Sequence, residues 1–284
     1  MSELSTFIGV LDHGFVELVD KMGTDLTVVN AARVSFGKSS DAFQEKDRKL
    51  IRYLLQHGHT SPLRHCQLQF RVKAPIFVFR QWMKHRIASE FNEVSSRYTE
   101  LGAAQFYHPA EFRGQSAVNK QGSEGLIHES NTAAAHAEYH NAIAQAQHSY
   151  EILRGFDVAK EQARCVMPVS QYSEVYWTVS LHAVLHFLSL RLDGHAQWEI
   201  REFAKAVRAL VLEAFPVVVS EYEAIQKRTE ADKALALTAL SMALADVAYE
   251  NEQSDTTEML LNSVREQLRE QVATYAECYS DELT

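Results

Sequence analysis

Cysteine is scarce. The 284 residues hold three, Cys66, Cys165 and Cys278, widely spaced, odd in number and without a CxxC pair. That pattern fits reduced thiols in a cytosol and gives no footing to a zinc or redox-disulfide site. Long apolar runs are missing too. No stretch approaches the roughly 18 residues a membrane helix needs, so no span is expected. "MSELSTFIGV" has neither a charged n-region nor a long apolar h-region, so it does not read as a signal peptide. Positive charge is in deficit, with 28 Lys and Arg against 37 Asp and Glu, a formal net charge of −9. So acidic a chain has no general footprint for nucleic acid, and any anion it binds must meet a local cluster of basic groups.

Core-forming residues are present in ordinary measure, 46% hydrophobic and 23% charged. A packed core is expected and wholesale disorder is not. The length suits one large domain or two modest ones.

Along the chain, "GFVELVD" from Gly14 is strand-like, and Asp25 stands where a helix N-cap would. Residues 41–56 place Leu50, Ile51, Leu54 and Leu55 on one helical face, with Gly58 as a stop. "QLQFRVK" alternates, Leu68, Phe70 and Val72 against Gln67, Gln69, Arg71 and Lys73, as a half-buried strand does. Pro75 suits a first helical position, and Ile76, Phe79 and Met83 follow at helical spacing. Residues 113–131 have three glycines and no period, and read as a surface excursion. A helix is expected over 132–154, then a short one capped by Asp157. A strand, "EVYWTV", leads to an apolar helix capped by Ser180, and a long helix spans about 195–215. From about Arg228, Leu237, Leu240, Leu244 and Val247, then Leu261, Val264, Leu268 and Tyr275, recur at heptad spacing and suggest a helical hairpin that packs on the body or on a partner subunit.

The densest polar stretch is "KHRIASEFNEVSSRY", from Lys84 to Tyr98. A solvated loop would account for it. A phosphate cradle would as well, because Arg, Lys, Ser hydroxyls and backbone N–H groups are what such a cradle uses. "HGHTSPLRH" supplies His57, His59 and His65 without a recognisable zinc spacing. His182 and His186 lie one turn apart on an apolar helix without the glutamate of HExxH; they suit a ring-binding groove or a satisfied core equally. "LSLRLDGHAQWE" crowds Arg191, Asp193, His195, Gln197 and Glu199 beside Trp198, which looks like a site. Cys66 beside His65 is a poor nucleophile pair, since neighbours in a strand point to opposite faces. No metal site is expected.

"RQWMKHRIASEFNEVSSRY" resembles the signature of the flavin-dependent thymidylate synthases, an Arg-His-Arg triplet followed by seven residues and a Ser. "GFVELVDKMGTDL", "AARVSF", "LLQHGHTSP", "VKAPIFVFRQW" and "LRLDGHAQWEI" resemble further blocks of that family in its order, over roughly residues 8–225. The resemblance implies an α+β fold of mixed helix and antiparallel sheet over 1–227, followed by a helical extension over 228–284. It implies a cytoplasmic homotetramer with active sites shared between subunits. The implied reaction is reductive methylation of dUMP to dTMP, with FAD as cofactor, NADPH as reductant and methylenetetrahydrofolate as carbon donor. By position, Ser61, Lys84, His85, Arg86, Asn92 and Glu93 correspond to FAD contacts, joined by Ser180, Leu181, His182, His186 and His195 from a second segment. Gln81, Lys84, Glu93, Val94, Ser95, Ser96, Arg97, Arg164 and Arg191 correspond to residues around dUMP. Arg191 matches the arginine that polarises the uracil, and His57 and His59 match the region near folate and flavin. The sequence departs from the pattern at Lys84, which replaces the first Arg, and in the eight residues between Arg86 and Ser95, which make Glu90 or Phe91 extra and suggest a bulge. Ser180, His182 and His186 also replace the Asn, Arg and Asn of some members. The alternative to an active enzyme is a catalytically silent nucleotide-binding or scaffold member of the family.

Overall fold

The computed structural model describes residues 6–98, 105–117, 120–250, 262–263 and 266. Its frame is a five-stranded antiparallel sheet built from β1 (Phe7–Val10), β2 (Gly14–Met22), β3 (Gln67–Pro75), β4 (Ser89–Glu93) and β7 (Tyr172–Ser180), in the order β1-β2-β3-β7-β4. The alternation expected in β3 holds: Leu68, Phe70, Val72 and Ala74 are fully buried while Gln67, Gln69, Arg71 and Lys73 are partly exposed. A strand buries one face when every second side chain is apolar, and the partner β7 answers with Val175, Trp177 and Val179.

Each central strand runs straight into a helix. Pro75 sits at the N-cap of α3 (Ile76–Trp82) rather than inside it, with extended backbone. Ser180 caps α6 (Leu181–Arg191) by accepting from the Ala183 N–H at 3.3 Å, as the sequence suggests. Aromatic rings lock these elements together. Phe70 stacks on Trp177 at 5.3 Å, Trp82 meets Trp177 edge-on at 5.2 Å, and Phe187 stacks on Trp82 at 4.8 Å. Phe203 of α7 (Trp198–Ala214) closes the group at 6.0 Å from Trp82. Offset and edge-on pairs of this kind add to the area they bury.

Several local expectations change. Asp25 opens α1 (Asp25–Arg33) but does not cap it. The cap is Thr24, whose N–H donates to the Thr27 hydroxyl at 3.0 Å. The Asp25 carboxylate instead accepts from the N–H groups of Val217 and Val218, at 3.1 and 3.0 Å, in the first turn of α8 (Pro216–Glu250). Those first-turn donors have no partner inside their own helix, so a distant carboxylate serves them. α2 begins later than expected, at Glu45, and runs to Gln56. Gly58 follows with φ 65°, a conformation suited to glycine. The expected excursion holds a hairpin, β5 (Arg113–Gln115) with β6 (Ser123–Leu126). α4 (Glu129–Gly155) follows. Asp157 has φ 60° and caps nothing; Ala159 precedes the short α5 (Lys160–Ala163).

α8 crosses the expected boundary at 227/228 without a break. It is tied to α2 by Glu221, which accepts from Arg48 at 3.0 Å and from Arg52 at 2.5 Å. Leu240, from the first heptad row, is half exposed. The second row, from Leu261 to Tyr275, lies outside the described residues.

Candidate active site

The polar stretch after α3 turns sharply. His85 N–H bonds the Trp82 carbonyl at 3.0 Å and Arg86 N–H bonds the Lys84 carbonyl at 3.1 Å. This turn leaves Lys84 and Arg86 exposed and swings His85 inward. The His85 ring packs 5.0 Å from Phe187 and 6.1 Å from His186, both on α6. At the end of α6, Arg191 donates from Nε to His85 Nε2 at 3.0 Å and from Nη2 to the Gln81 carbonyl at 3.3 Å. Two blocks distant in sequence thus meet through one guanidinium.

The electrostatics follow from that contact. His85 accepts from a permanent cation, so its ring is neutral with the proton on Nδ1. Burial first, then Arg191 and His186, lower its pKa from 6.5 to about 4. Burial also lowers the pKa of Arg191. No carboxylate neutralises Arg191 among the described residues, and its Nη1 has no partner there. A half-buried, uncompensated guanidinium favours a ligand that brings or develops negative charge.

His85 carries a stability signature. Between pH 6.5 and about 4 the unfolded chain takes up a proton that the folded chain refuses. The stability due to neutral His85 is complete above pH 6.5 and is lost as pH falls through about 4. In ligand-free protein, His85→Gln flattens this part of the profile of unfolding free energy against pH. An unchanged slope in the variant counts against the assignment.

β4 is an edge strand, and its pairing with β7 is regular from Ser89↔Val179 to Glu93↔Val175. The expected bulge is therefore absent from the paired segment. The irregular backbone lies just before it, at Ala88 with φ 50°. Ser89 is buried and accepts from Trp177 Nε1 at 2.6 Å, and Phe91 lies parallel to the same indole at 6.1 Å. Glu90 and Asn92 alternate to the exposed side. Glu93 accepts from the Ser173 hydroxyl at 2.6 Å, and Val94 is exposed. In the next turn the Ser95 hydroxyl accepts from the Arg97 N–H at 3.3 Å, Arg97 faces Glu161 at 3.4 Å, and Arg164 donates to the Ser96 hydroxyl at 3.1 Å. Ser95, Ser96, Arg97 and Arg164, which correspond by position to residues around dUMP, are thus joined in two hydrogen-bonded pairs. Among the described residues no hydrogen bond joins either pair to Arg191.

The second segment divides. His182 and His186 line a cavity of about 130 Å³ with His59, Thr60 and Tyr222, floored by leucines. Burial, then Arg64 and His186, lower the His182 pKa. Ser61 is exposed beside this cavity's Thr60, and His195 is exposed and bonded to Asp193 at 2.9 Å. Two residues turn inward. The Ser180 hydroxyl is buried in the α6 cap, and the Leu181 side chain lies in the core while its N–H donates to the Cys66 carbonyl at 2.9 Å. Any contact Ser180 or Leu181 makes with a cofactor has to get past these commitments. His57 and His59 flank the Tyr53 ring, at 4.3 and 5.8 Å.

Cys66 is fully buried, and its thiol lies 3.8 Å from the Thr24 carbonyl. Burial, then Asp25, push its pKa up to about 11, so the thiolate that attacks as a nucleophile is disfavoured. A folded Cys66→Ala protein retains turnover; complete loss in a protein that still melts cooperatively overturns the reading of this cysteine as structural.

Other residues of the region were harder to foresee. Buried Glu199 accepts from Arg113 at 2.5 Å, from Tyr107 at 3.3 Å and from Gln197 at 2.9 Å. Gln197 and Glu199 stood out in the sequence as site-like neighbours of Arg191. Tyr107 and Arg113 carried no signal beyond the need of a buried carboxylate for partners.

The family described as "Thymidylate synthase complementing protein" matches residues 17–217. A flavin-dependent thymidylate synthase of Thermus thermophilus is 46% identical over 216 residues, 76% of this chain and 78% of its own. The enzyme of the same name from Thermosipho africanus is 44% identical over 73% of this chain and 90% of its own. Among solved structures, the UMP/dUMP methylase PolB of Streptomyces cacaoi bound with 5-Br dUMP is 35% identical with a TM-score of 0.68, over 76% of this chain and 97% of that one.

Proposed function

Since this chain belongs to the flavin-dependent thymidylate synthase family, we propose that it methylates dUMP to dTMP, with FAD as cofactor, methylenetetrahydrofolate as carbon donor and NADPH as reductant. The observation that carries this reading is the junction of Arg191 with His85 and the Gln81 carbonyl. Uracil C5 is a weak nucleophile. A guanidinium already oriented, and short of a counter-charge, stabilises the negative charge that builds on the ring when C5 reacts. Neutral His85 holds that guanidinium by accepting from it, without adding a competing positive charge. Arg97, Arg164, Ser95 and Ser96 suit the dUMP phosphate, because charge-assisted bonds from guanidinium and hydroxyl groups are what a phosphate rewards.

The donor set also fits FAD. Exposed Lys84 and Arg86 suit its phosphates, and His59, His182 and His186 offer flat, partly apolar rings and N–H groups to its ring system. Ser61, Asn92, Glu93 and His195 complete this set. Bound FAD supplies hydride transfer, so the protein has position and electrostatics to provide. The cavity of about 130 Å³ is far below the roughly 300–1,000 Å³ of a pocket that encloses a drug-sized ligand. One chain then provides part of the wall, in keeping with a homotetramer that shares its sites. The cytoplasm is the compartment proposed, and residues after 228 are assigned to assembly.

The test is the visible spectrum of the purified protein, reconstituted with FAD, followed by NADPH oxidation with and without dUMP. Flavin bands and dUMP-dependent dTMP formation support the proposal. A protein that refuses FAD overturns it. One that binds FAD and dUMP but forms no dTMP is the silent family member instead.

A further inference from the structure

Gln81 is the residue on which two hydrogen-bond networks converge. Its backbone carbonyl accepts from Arg191, as described above. Its side-chain Nε2 donates to Gln197 Oε1 at 2.5 Å, and Gln197 Nε2 donates to Glu199 Oε2 at 2.9 Å. The other carboxylate oxygen of Glu199 takes Arg113 and the Tyr107 hydroxyl. Arg113 is steadied by the Ser123 hydroxyl at 3.0 Å and by the Trp198 ring, 4.9 Å from its guanidinium carbon. Tyr107 in turn accepts at its carbonyl from the Tyr139 hydroxyl at 2.9 Å.

The direction of this chain is dictated by its far end. An ionised carboxylate can only accept. Gln197 must therefore turn its NH₂ toward Glu199, which leaves its oxygen facing Gln81. Gln81 must then turn its own NH₂ toward Gln197. What remains of the Gln81 amide for a ligand is its carbonyl oxygen and one N–H, in a fixed orientation. Without the carboxylate both amides could flip at little cost.

Resting on the reading of Gln81 as a nucleotide contact, we infer that Glu199 is a positioning residue: braced by Arg113 and Tyr107, it sets the orientation of the Gln81 amide through Gln197. The β5–β6 hairpin, which supplies Arg113 and Ser123, thereby acts on the nucleotide site from outside it. A well-oriented amide binds without first being ordered, so the effect falls on nucleotide affinity more than on FAD.

The test uses the full chain loaded with FAD. Glu199→Gln keeps the size and removes the acceptor-only constraint. Gln197→Ala cuts the link at an exposed side chain and spares the buried Glu199–Arg113 pair, so it folds even where Glu199→Gln does not. Each is expected to raise the dUMP dissociation constant roughly five- to tenfold, about the worth of one hydrogen bond, with FAD affinity unchanged. Each adds nothing further on a Gln81→Ala background, and each shifts the Gln81 side-chain amide resonances of the ligand-free protein. Additive losses with Gln81→Ala, or unmoved Gln81 amide resonances, overturn the inference. If the resonances move but Gln81→Ala binds dUMP as well as the parent, the positioning stands and the nucleotide role of Gln81 is what fails.

Discussion

Arg191→Ala leaves a folded protein whose kcat/KM for dUMP falls by roughly 10²–10³, the usual consequence of deleting a donor aimed at developing charge. The fold survives because Arg191 is the last residue of α6 and its two internal bonds go to a neutral imidazole and a single carbonyl. Neither leaves a buried charge behind when the guanidinium goes. The loss concentrates in catalysis because burial has already desolvated the cation, and a desolvated charge interacts more strongly with what forms beside it. Arg191→Lys recovers little, since a lysine cannot reach His85 and the Gln81 carbonyl in one planar geometry. Steady-state rates across a range of dUMP concentrations decide the matter, and wild-type kcat/KM in Arg191→Ala removes the role.

The second large effect is on stability. Trp177→Ala costs on the order of 3–5 kcal/mol, the range for emptying a large aromatic site in a packed core. Trp177 is fully buried and touches rings from three other elements, Phe70, Trp82 and Phe187, with Phe91 on a fourth. It also donates to Ser89, the first residue of β4. The cavity therefore opens beneath the strand that presents Asn92 and Glu93, and that edge strand loses both its ring contact and its side-chain anchor. Denaturant unfolding measures the cost; hydrogen exchange in β4 should accelerate more than in β3. A loss below about 1 kcal/mol would mean that the surrounding rings collapse into the space.

These two residues show what could be read in advance. The strand around Phe70 was legible because strict alternation is the signature of a sheet with one buried face. α6 was legible from Ser180 and the apolar run behind it. Arg191 and the Lys84–Arg97 stretch were legible as dense polar groups beside apolar elements, and their order along the chain matched a family. The junction of His85 with Arg191 was not legible, because it joins residues 106 apart in sequence and depends on a turn whose geometry no local pattern encodes. Asp25 misled for a related reason. A carboxylate before an apolar run looks like the cap of its own helix, and the competing donors belonged to α8, far along the chain. The β5–β6 hairpin was hidden because β6 is exposed throughout, so no buried face left a period in its sequence. Leu181 was assigned by alignment of motifs, and its place in the core shows that a motif position need not present its side chain.

The anchoring of α8 bears on how short the chain can be made. The family match ends at residue 217, which invites trimming there. Such a cut removes Glu221, the shared partner of Arg48 and Arg52, and Glu223, which holds Arg208 through two bonds at 2.6 and 2.8 Å. It would also fray the turn that Asp25 caps, leaving a poorly solvated carboxylate at the seam between α1 and α8. A chain trimmed after Glu223 keeps every one of these ties. The folded unit therefore runs past residue 217, and the margin is set by three arginines whose carboxylate partners, Glu221 and Glu223, lie beyond that position.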